Sequence, residues 1–232
     1  MTPLPGLILA AGFSRRMGRD KLTLPLDGEP LVRRVVRAAV AAGLAPVGVV
    51  VRPLEHASSA EEREDCGAEL HAAITGFGAT VHFVPAPDAH LGQSASLKAG
   101  VRWLVRQEAL GTTRFPGVAV LLGDQPLVSS RLLQGLIAHF EDAPSRAVAP
   151  VYGGVRGNPV IVPRTAFDAM LRLSGDTGAR EILSAFGLHL VPTNDRATVT
   201  DVDTWEAYQQ VQLLPKTASS ETDLYLTTYA QD

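Results

Sequence analysis

Short runs dominated by apolar residues are the feature that most restricts how this chain of 232 residues can fold. They occupy residues 7–9, 47–51, 81–84 and 118–122. Each run is too short for a helix and lacks the alternation of a half-exposed strand, so each fits a strand that is covered on both faces. Because helical stretches separate these runs, the sequence predicts an α/β fold with a mostly parallel central sheet and helices on both faces.

The predicted helices follow from apolar stripes at helical spacing and from the residues that would begin or end them. Gly43 would end the first helix, Ser94 or Ser96 would cap the third, and Ser129 would cap the fourth. The second helix is expected over residues 56–75, and the apolar stripes of the other three span residues 31–42, 97–105 and 132–140, with Gly111 just past the end of the third helix.

The second half of the chain departs from this alternation. Two short strands around the glycine-rich connection 152–158 predict a small β excursion from the parallel core. A glycine-bearing turn within residues 173–183 would lead into a further helix, and residues 189–192 predict another strand.

Length and composition predict a single domain over residues 1–214, followed by a polar tail at 215–232 that has no periodicity. A net charge of -3 argues against general binding to nucleic acid or to anionic membranes. No apolar stretch approaches the roughly 20 residues that span a bilayer, and no secretory leader is recognisable, so we expect a cytoplasmic protein. Cys66 is the only cysteine, which excludes an internal disulfide.

An anion site is predicted directly after the first strand. Gly12 lets the backbone turn sharply, and the cations Arg15, Arg16, Arg19 and Lys21 follow at once. Guanidinium forks and a lysine point charge together suit a polyphosphate. The stretch has neither the P-loop spacing nor a G-x-G-x-x-G turn, so neither common phosphate motif explains it. A surface turn with solvated arginines is the alternative.

Asp124 is the first charged residue after the buried run 118–122, at the carboxyl end of a strand, where parallel sheets bind ligands. Beside a triphosphate loop, this carboxylate would hold Mg²⁺; otherwise it is a turn residue. Asp201 and Asp203 lie two residues apart, which places both carboxylates on one side of an extended segment. Either could be a second metal ligand, or Asp203 or Thr204 could cap the following helix.

Two further loops carry candidate binding groups. Residues 92–96 would offer backbone N–H groups and hydroxyls to an anion or a base edge, or they simply begin a capped helix. Arg156 and Asn158, in the excursion, could reach into a cleft, and Arg180 follows the glycine-bearing turn.

These motifs resemble those of a known group of enzymes. LAAGFSRRMGRDK resembles the signature of the nucleotidyltransferases with a glycosyltransferase-A-like fold, and LLGDQP resembles their metal-binding strand end. GQSASLKAG, GNP, GDTGAR and TDVDTWEAY, in that order, resemble the molybdenum cofactor cytidylyltransferase branch. The guanylyl branch typically has a second glycine in place of Ala11, and the cytidylyl branch often has histidine where Asn158 stands. The similarity runs from about Leu7 to Tyr208.

The resemblance implies a Rossmann-like sheet and a Mg²⁺-dependent transfer of CMP from CTP to the phosphate of molybdopterin, with release of pyrophosphate. A molybdoenzyme would receive the product. The catalytic residues would be Arg16, Lys21 and Asp124. The nucleotide would be bound by Leu9, Ala10, Ala11, Gly12, Arg16, Lys21, Gly92, Ser94 and Ser96. The metal would be held by Asp124 and Asp201, with Asp203 as a further candidate, and the second substrate by Asn158, Gly175, Asp176 and Arg180.

Two alternatives stay open from the sequence. The acceptor could be a sugar phosphate or another phosphorylated small molecule, with the same chemistry. In a different class, the chain could be a chaperone that binds molybdopterin without transferring a nucleotide. The base is also open, because CTP, GTP and ATP share the triphosphate that the cations would bind.

Overall fold

The computed structural model describes residues 2–14, 17–53, 69–111 and 114–214. Its strands are β1 (Gly6–Leu9), β2 (Pro25–Leu26), β3 (Glu29–Pro30), β4 (Val47–Val51), β5 (Val81–Pro85), β6 (Gly117–Leu122), β7 (Val148–Tyr152), β8 (Val155–Arg156), β9 (Val160–Pro163) and β10 (His189–Pro192). Its helices are α1 (Leu31–Ala41), α2 (Gln93–Leu110), α3 (Ser130–Asp142), α4 (Phe167–Arg172) and α5 (Trp205–Gln212).

The described strands form an eight-stranded sheet in the order β10-β7-β9-β6-β1-β4-β5, with β8 paired to β7, and β2 pairs with β3 separately. Strands β6, β1, β4 and β5 run parallel to one another, and β10 runs parallel to β7. Within the eight-stranded sheet of the described residues, only β8 and β9 run against the other strands. The mostly parallel sheet is therefore confirmed, and the β excursion is the pair of strands that runs against it.

The two faces of the sheet carry separate hydrophobic clusters, because alternate residues of a strand point to opposite faces. Ile8 belongs to the cluster that includes apolar residues of α1 and α3. Its neighbour Leu7 belongs to the cluster that includes residues of α2 and α4. Both side chains are fully buried, and the predicted helices on both faces are confirmed.

A third cluster joins the two ends of the described chain. It combines the region of β2 and β3 with the segment around α5. Its members are Met17, Leu24, Leu26, Leu31, Val202, Tyr208 and Val211, and the Tyr208 hydroxyl donates a hydrogen bond to the Pro25 carbonyl. This cluster brings residues near position 200 beside the loop that follows β1.

Two local predictions were wrong. Neither Ser94 nor Ser96 caps α2: the helix begins at Gln93 after Gly92, which has no side chain to cap it, and both serines lie buried in its first turns. The helix expected after the glycine-bearing turn is replaced by two 3-10 turns, Ala179–Glu181 and Leu183–Phe186, which end at the left-handed Gly187.

Other predictions were confirmed. The Ser129 hydroxyl caps α3 by accepting from the Leu132 N–H, and Thr204 rather than Asp203 caps α5. Residues 69–73 are helical and residues 74–75 form a turn, whereas residues 56–68 of the expected helix and the polar tail at 215–232 lie outside the described residues. No helix in the described part of the chain is long and apolar enough to cross a bilayer.

Candidate active site

Lys21 lies at the centre of the site, and local structure fixes its backbone. Asp20 caps the short 3-10 turn Lys21–Thr23, because its Oδ1 accepts from the Leu22 N–H at 3.1 Å. The Lys21 N–H in turn donates to the Ser14 hydroxyl at 3.2 Å. The Lys21 side chain is buried, so its ammonium needs partners inside the protein.

Those partners are two carboxylates from distant parts of the chain. Lys21 Nζ lies 2.6 Å from Asp124 Oδ2 and 2.6 Å from Asp203 Oδ1. Burial lowers the pKa of Lys21, but the two carboxylates raise it more, so the pKa stays above its usual value of 10.5. Lys21 therefore bridges the end of β6 and the segment before α5 as a charged ammonium.

Asp124 is held by the backbone on both sides. The Gly123 N–H donates to the Leu9 carbonyl at 3.0 Å, and the Val202 N–H donates to the Asp124 carbonyl at 2.9 Å. Burial raises the pKa of the Asp124 carboxyl, Lys21 opposes that rise, and the charges of Asp201 and Asp203 add to it. The segment 201–203 therefore lies beside Asp124, and Asp203 contacts the same ammonium as Asp124.

The carboxylates fit a metal ion that arrives with a nucleotide. Asp124 Oδ1 is buried and has no hydrogen-bond partner among the described residues. A buried carboxylate oxygen without a partner is costly, and a cation would satisfy it. No group of three or more His, Cys, Asp or Glu residues in the described ranges forms a metal cage. Mg²⁺ needs only one or two protein carboxylates when phosphate oxygens and water complete its shell.

Gln125 is a residue of this site that the sequence analysis missed. Its side chain is buried, and its Nε2 donates to Asp201 Oδ1 at 2.5 Å. Asp201, expected as the second metal ligand, is thus held by Gln125, whereas Asp203 meets Lys21 beside Asp124. The signal was present, because Gln125 follows Asp124 directly at the end of a buried strand.

Arg52 is a second such residue. It follows β4 directly, at the same edge of the sheet as Asp124, since β4, β1 and β6 are parallel. Its guanidinium donates to Asp20 Oδ2 at 3.3 Å and stacks over the Phe13 ring at 4.9 Å from the centroid. Burial raises the pKa of Asp20, and Arg52 opposes that rise. Arg52 therefore helps to fix the turn that carries Lys21.

The other predicted residues of the first loop divide into two groups. Ala10 and Ala11 are buried, and Gly12 is exposed with open space where a side chain would stand. This leaves room for a ligand against the backbone. Arg16, expected as a catalytic residue, lies outside the described residues together with Arg15.

The loop before α2 meets the loop expected to face the second substrate. The Gln93 N–H donates to Asp176 Oδ1 at 3.3 Å, and the Ser94 N–H donates to the Gly175 carbonyl at 3.2 Å. Gly92 adopts a φ of 111°, and a Cβ there would lie 2.6 Å from the Gly175 oxygen. The backbone N–H groups that the sequence offered to an anion are thus already bonded within the protein.

The excursion completes the same edge of the sheet. Strand β7 runs parallel to β6, since both are antiparallel to β9, so the turn between β7 and β8 lies at the edge that carries Asp124. The Asn158 N–H donates to the Thr198 carbonyl at 2.8 Å, and Arg180 Nη2 donates to the Arg156 carbonyl at 2.8 Å. Arg180 is therefore bonded to the backbone of the excursion, and Asn158 is bonded to the segment that leads to Asp201 and Asp203.

Comparison with known proteins identifies what this arrangement resembles. A family model described as the MobA-like NTP transferase domain matches residues 6–192. That match ends before Asp201 and Asp203. The purine catabolism protein PucB of Bacillus subtilis (strain 168) is 35% identical over 212 residues, which cover 90% of this chain and 96% of PucB. A probable molybdenum cofactor guanylyltransferase of Opitutus terrae is 40% identical over 101 residues, which cover 44% of this chain and 45% of that protein.

Solved structures share the fold. The crystal structure of Rv0371c from Mycobacterium tuberculosis H37Rv matches with a TM-score of 0.70 at 24% identity, covering 91% of this chain and 98% of that one. The complex of the same protein with manganese matches with a TM-score of 0.66 at 23% identity, with the same coverage.

Proposed function

This chain belongs to the family of MobA-like NTP transferase domains, and we propose that it transfers CMP from CTP to the phosphate of molybdopterin with release of pyrophosphate. The observation that carries the proposal is the contact of Lys21 with Asp124 and Asp203 at the carboxyl edge of the sheet. It gathers, in one place, the cation and the carboxylates that a nucleoside triphosphate with its metal ion requires.

The chemistry is an in-line substitution at phosphorus. An oxygen of the acceptor phosphomonoester attacks the α-phosphorus of CTP, the bond to the oxygen that bridges to the β-phosphorus breaks, and pyrophosphate leaves with that oxygen. Mg²⁺ bound with the nucleotide would neutralise negative charge on the phosphate oxygens. Asp124 would hold it through the oxygen that has no partner, and Asp203 or Asp201 would be the second carboxylate.

The protein contributes position and charge rather than a covalent step. Lys21 would exchange its two carboxylates for the triphosphate, and Arg16 would add a second cation. Gly12 leaves open space against the backbone, where the base and ribose would lie. The loops around Gly92 and Gly175 share hydrogen bonds, which would keep the nucleotide and the acceptor at a fixed separation.

The proposed acceptor, molybdopterin, and the proposed base, cytosine, are supported by different observations. Molybdopterin is favoured by the series of motifs that ends in TDVDTWEAY and by the relative named as a molybdenum cofactor guanylyltransferase. CTP is favoured by Ala11, which stands where the guanylyl branch typically has glycine. That same relative favours a second candidate reaction, the transfer of GMP from GTP to the same acceptor. The manganese complex of Rv0371c favours a divalent metal ion in either case.

Pyrophosphate release over CTP, GTP, ATP and UTP, with and without molybdopterin, tests the proposal. We expect pyrophosphate release only when CTP, molybdopterin and Mg²⁺ are present together. Asp124→Asn is the matched control and should be inactive. A preference for GTP would establish the second candidate. Release only with sugar phosphates would show that the acceptor is a sugar phosphate rather than molybdopterin. Binding of molybdopterin without consumption of any nucleotide would favour a molybdopterin-binding chaperone.

A further inference from the structure

Arg156 lies in the antiparallel excursion and has an unusual environment. It pairs with Val151 between β8 and β7, close to the edge of the sheet that carries Asp124. Its Nε is buried and has no hydrogen-bond partner among the described residues. Burying a charged donor without a partner costs roughly 1–3 kcal/mol or more, so the folded chain must gain something in return.

The chain pairs its other half-buried arginines with carboxylates. Arg52 contacts Asp20 at 3.3 Å, and Arg164 forms a bidentate salt bridge with Glu108, with both hydrogen bonds at 2.9 Å. No carboxylate in the described ranges pairs with Arg156 or with Arg180, whose guanidinium donates to the Arg156 carbonyl at 2.8 Å. Arg156 is therefore a half-buried cation that has no carboxylate partner in the part of the chain that the structure describes.

A continuous series of contacts connects Arg156 to the carboxylates of the site. The residue after it, Gly157, packs so tightly on Thr198 that a side chain there would collide with the Thr198 carbonyl. The Asn158 N–H bonds the same carbonyl, and four residues later the Val202 N–H bonds the Asp124 carbonyl. The backbone of Arg156 thus lies on the part of the edge that adjoins the carboxylates of the candidate site.

From this arrangement we infer that Arg156 binds the phosphomonoester of the acceptor, an inference that rests on the proposed function for the identity of that acceptor. Nε and one Nη of a guanidinium form a fork that matches two phosphate oxygens. The fork leaves the third oxygen to attack the α-phosphorus, and it orients the acceptor without entering the covalent chemistry. Arg180, whose guanidinium donates to the Arg156 carbonyl, adds positive charge to the same loop.

The test compares the binding of two ligands by two proteins, in the manner of a double-mutant cycle. The dissociation constants of molybdopterin and of dephosphorylated molybdopterin are measured for wild type and for Arg156→Gln. We expect wild type to prefer the phosphorylated form, and Arg156→Gln to lose roughly 10- to 100-fold of that preference, as a charged hydrogen bond is worth about 1.5–3 kcal/mol. Arg156→Lys should recover only part of it, because lysine lacks the fork. Arg106→Gln, an exposed change on α2, is the matched control and should leave it unchanged.

Kinetics give the second measurement. Arg156→Gln should raise the KM for molybdopterin and leave the KM for CTP unchanged. An equal loss of affinity for both forms of molybdopterin, or an unchanged preference, would overturn the inference. If wild type consumes no nucleotide with molybdopterin, the proposed function fails but the anion site is still tested. Inorganic phosphate, added with Mg²⁺ and CTP at saturation, should then raise the melting temperature of wild type and Arg106→Gln, and an equal rise in Arg156→Gln would refute the site.

Discussion

Replacing Lys21 with methionine separates the structural role of its ammonium from its role in turnover. In the folded chain Nζ contacts two carboxylates at 2.6 Å. At an effective dielectric constant of about 20, each contact corresponds to roughly 6 kcal/mol of attraction before desolvation is subtracted. Burial offsets most of this, and the Asp203 side chain is 50% exposed, so the net loss should be about 3 kcal/mol, at the low end for a broken buried pair.

A loss of about 3 kcal/mol corresponds to a fall of roughly 6–12 °C in melting temperature for a chain of this size. Lys98→Met is the matched control: Lys98 is half-buried on α2 and has no ion pair among the described residues, so its melting temperature should stay close to that of wild type. Differential scanning calorimetry in a chelating buffer measures both variants.

Magnesium makes the same experiment specific to the site. Without nucleotide, Lys21 competes with Mg²⁺ for Asp124 and Asp203, so Mg²⁺ should raise the melting temperature of Lys21→Met more than that of wild type. Pyrophosphate release by the variant should nevertheless fall roughly 100-fold or more. A variant that melts like wild type, responds no more to Mg²⁺ and keeps turnover within about tenfold would refute this account of the site.

Four further changes test the proposed metal site, the core, the surface of a helix and the edge of the sheet. Asp124→Asn should lose Mg²⁺-dependent pyrophosphate release roughly 100-fold or more while circular dichroism still shows a folded protein. In the core, Gly117→Ala would collide with a carbonyl of β9 and should cost about 3 kcal/mol. By contrast, Gly135→Ala has open space on α3 and should stabilise by roughly 0.5–1 kcal/mol, as chemical denaturation would show. Burial, His139 and a nearby arginine hold the pKa of His189 below its usual 6.5. Stability should therefore be complete above that value and fall as the pH drops below it, and His189→Gln should flatten the decline measured between about pH 7 and pH 5.

The sheet could be predicted from the sequence because its central strands are apolar along their whole length. Residues 7–9, 47–51 and 118–122 are covered on both faces, and that burial leaves the same pattern in any sequence. Asp124 could be found for a related reason, since a charged residue that directly follows such a strand lies at the ligand edge. Arg52 directly follows β4 in the same way. The rule that identified Asp124 would therefore also have identified Arg52 as a residue of the site.

The partners of Lys21 could not be predicted in the same way. Asp203 is 182 residues away along the chain, and its position depends on the packing of Val202 and Tyr208 against the region of β2. The prediction of a serine cap for α2 was wrong for a different reason. Serine is a common cap, but Gly92 turns the chain at a φ of 111° against Gly175, and the Gly175 carbonyl and the Asp176 carboxylate of a distant loop accept from the first N–H groups of the helix. Both the contact of Lys21 with Asp203 and the start of α2 depend on tertiary packing, so local sequence patterns do not predict them.

The contact between Lys21 and Asp203 also has a consequence for how the protein is made. A ribosome that adds about 5–20 residues per second needs roughly 10–40 s to extend the chain from the first of these residues to the second. During that time the parallel strands can assemble, but the ammonium of Lys21 has only one of its two carboxylates. The candidate site is therefore complete only after nearly the whole described domain has been synthesised. A chain cut short after the last strand would keep the region that defines its family and still lack the residue that closes its site.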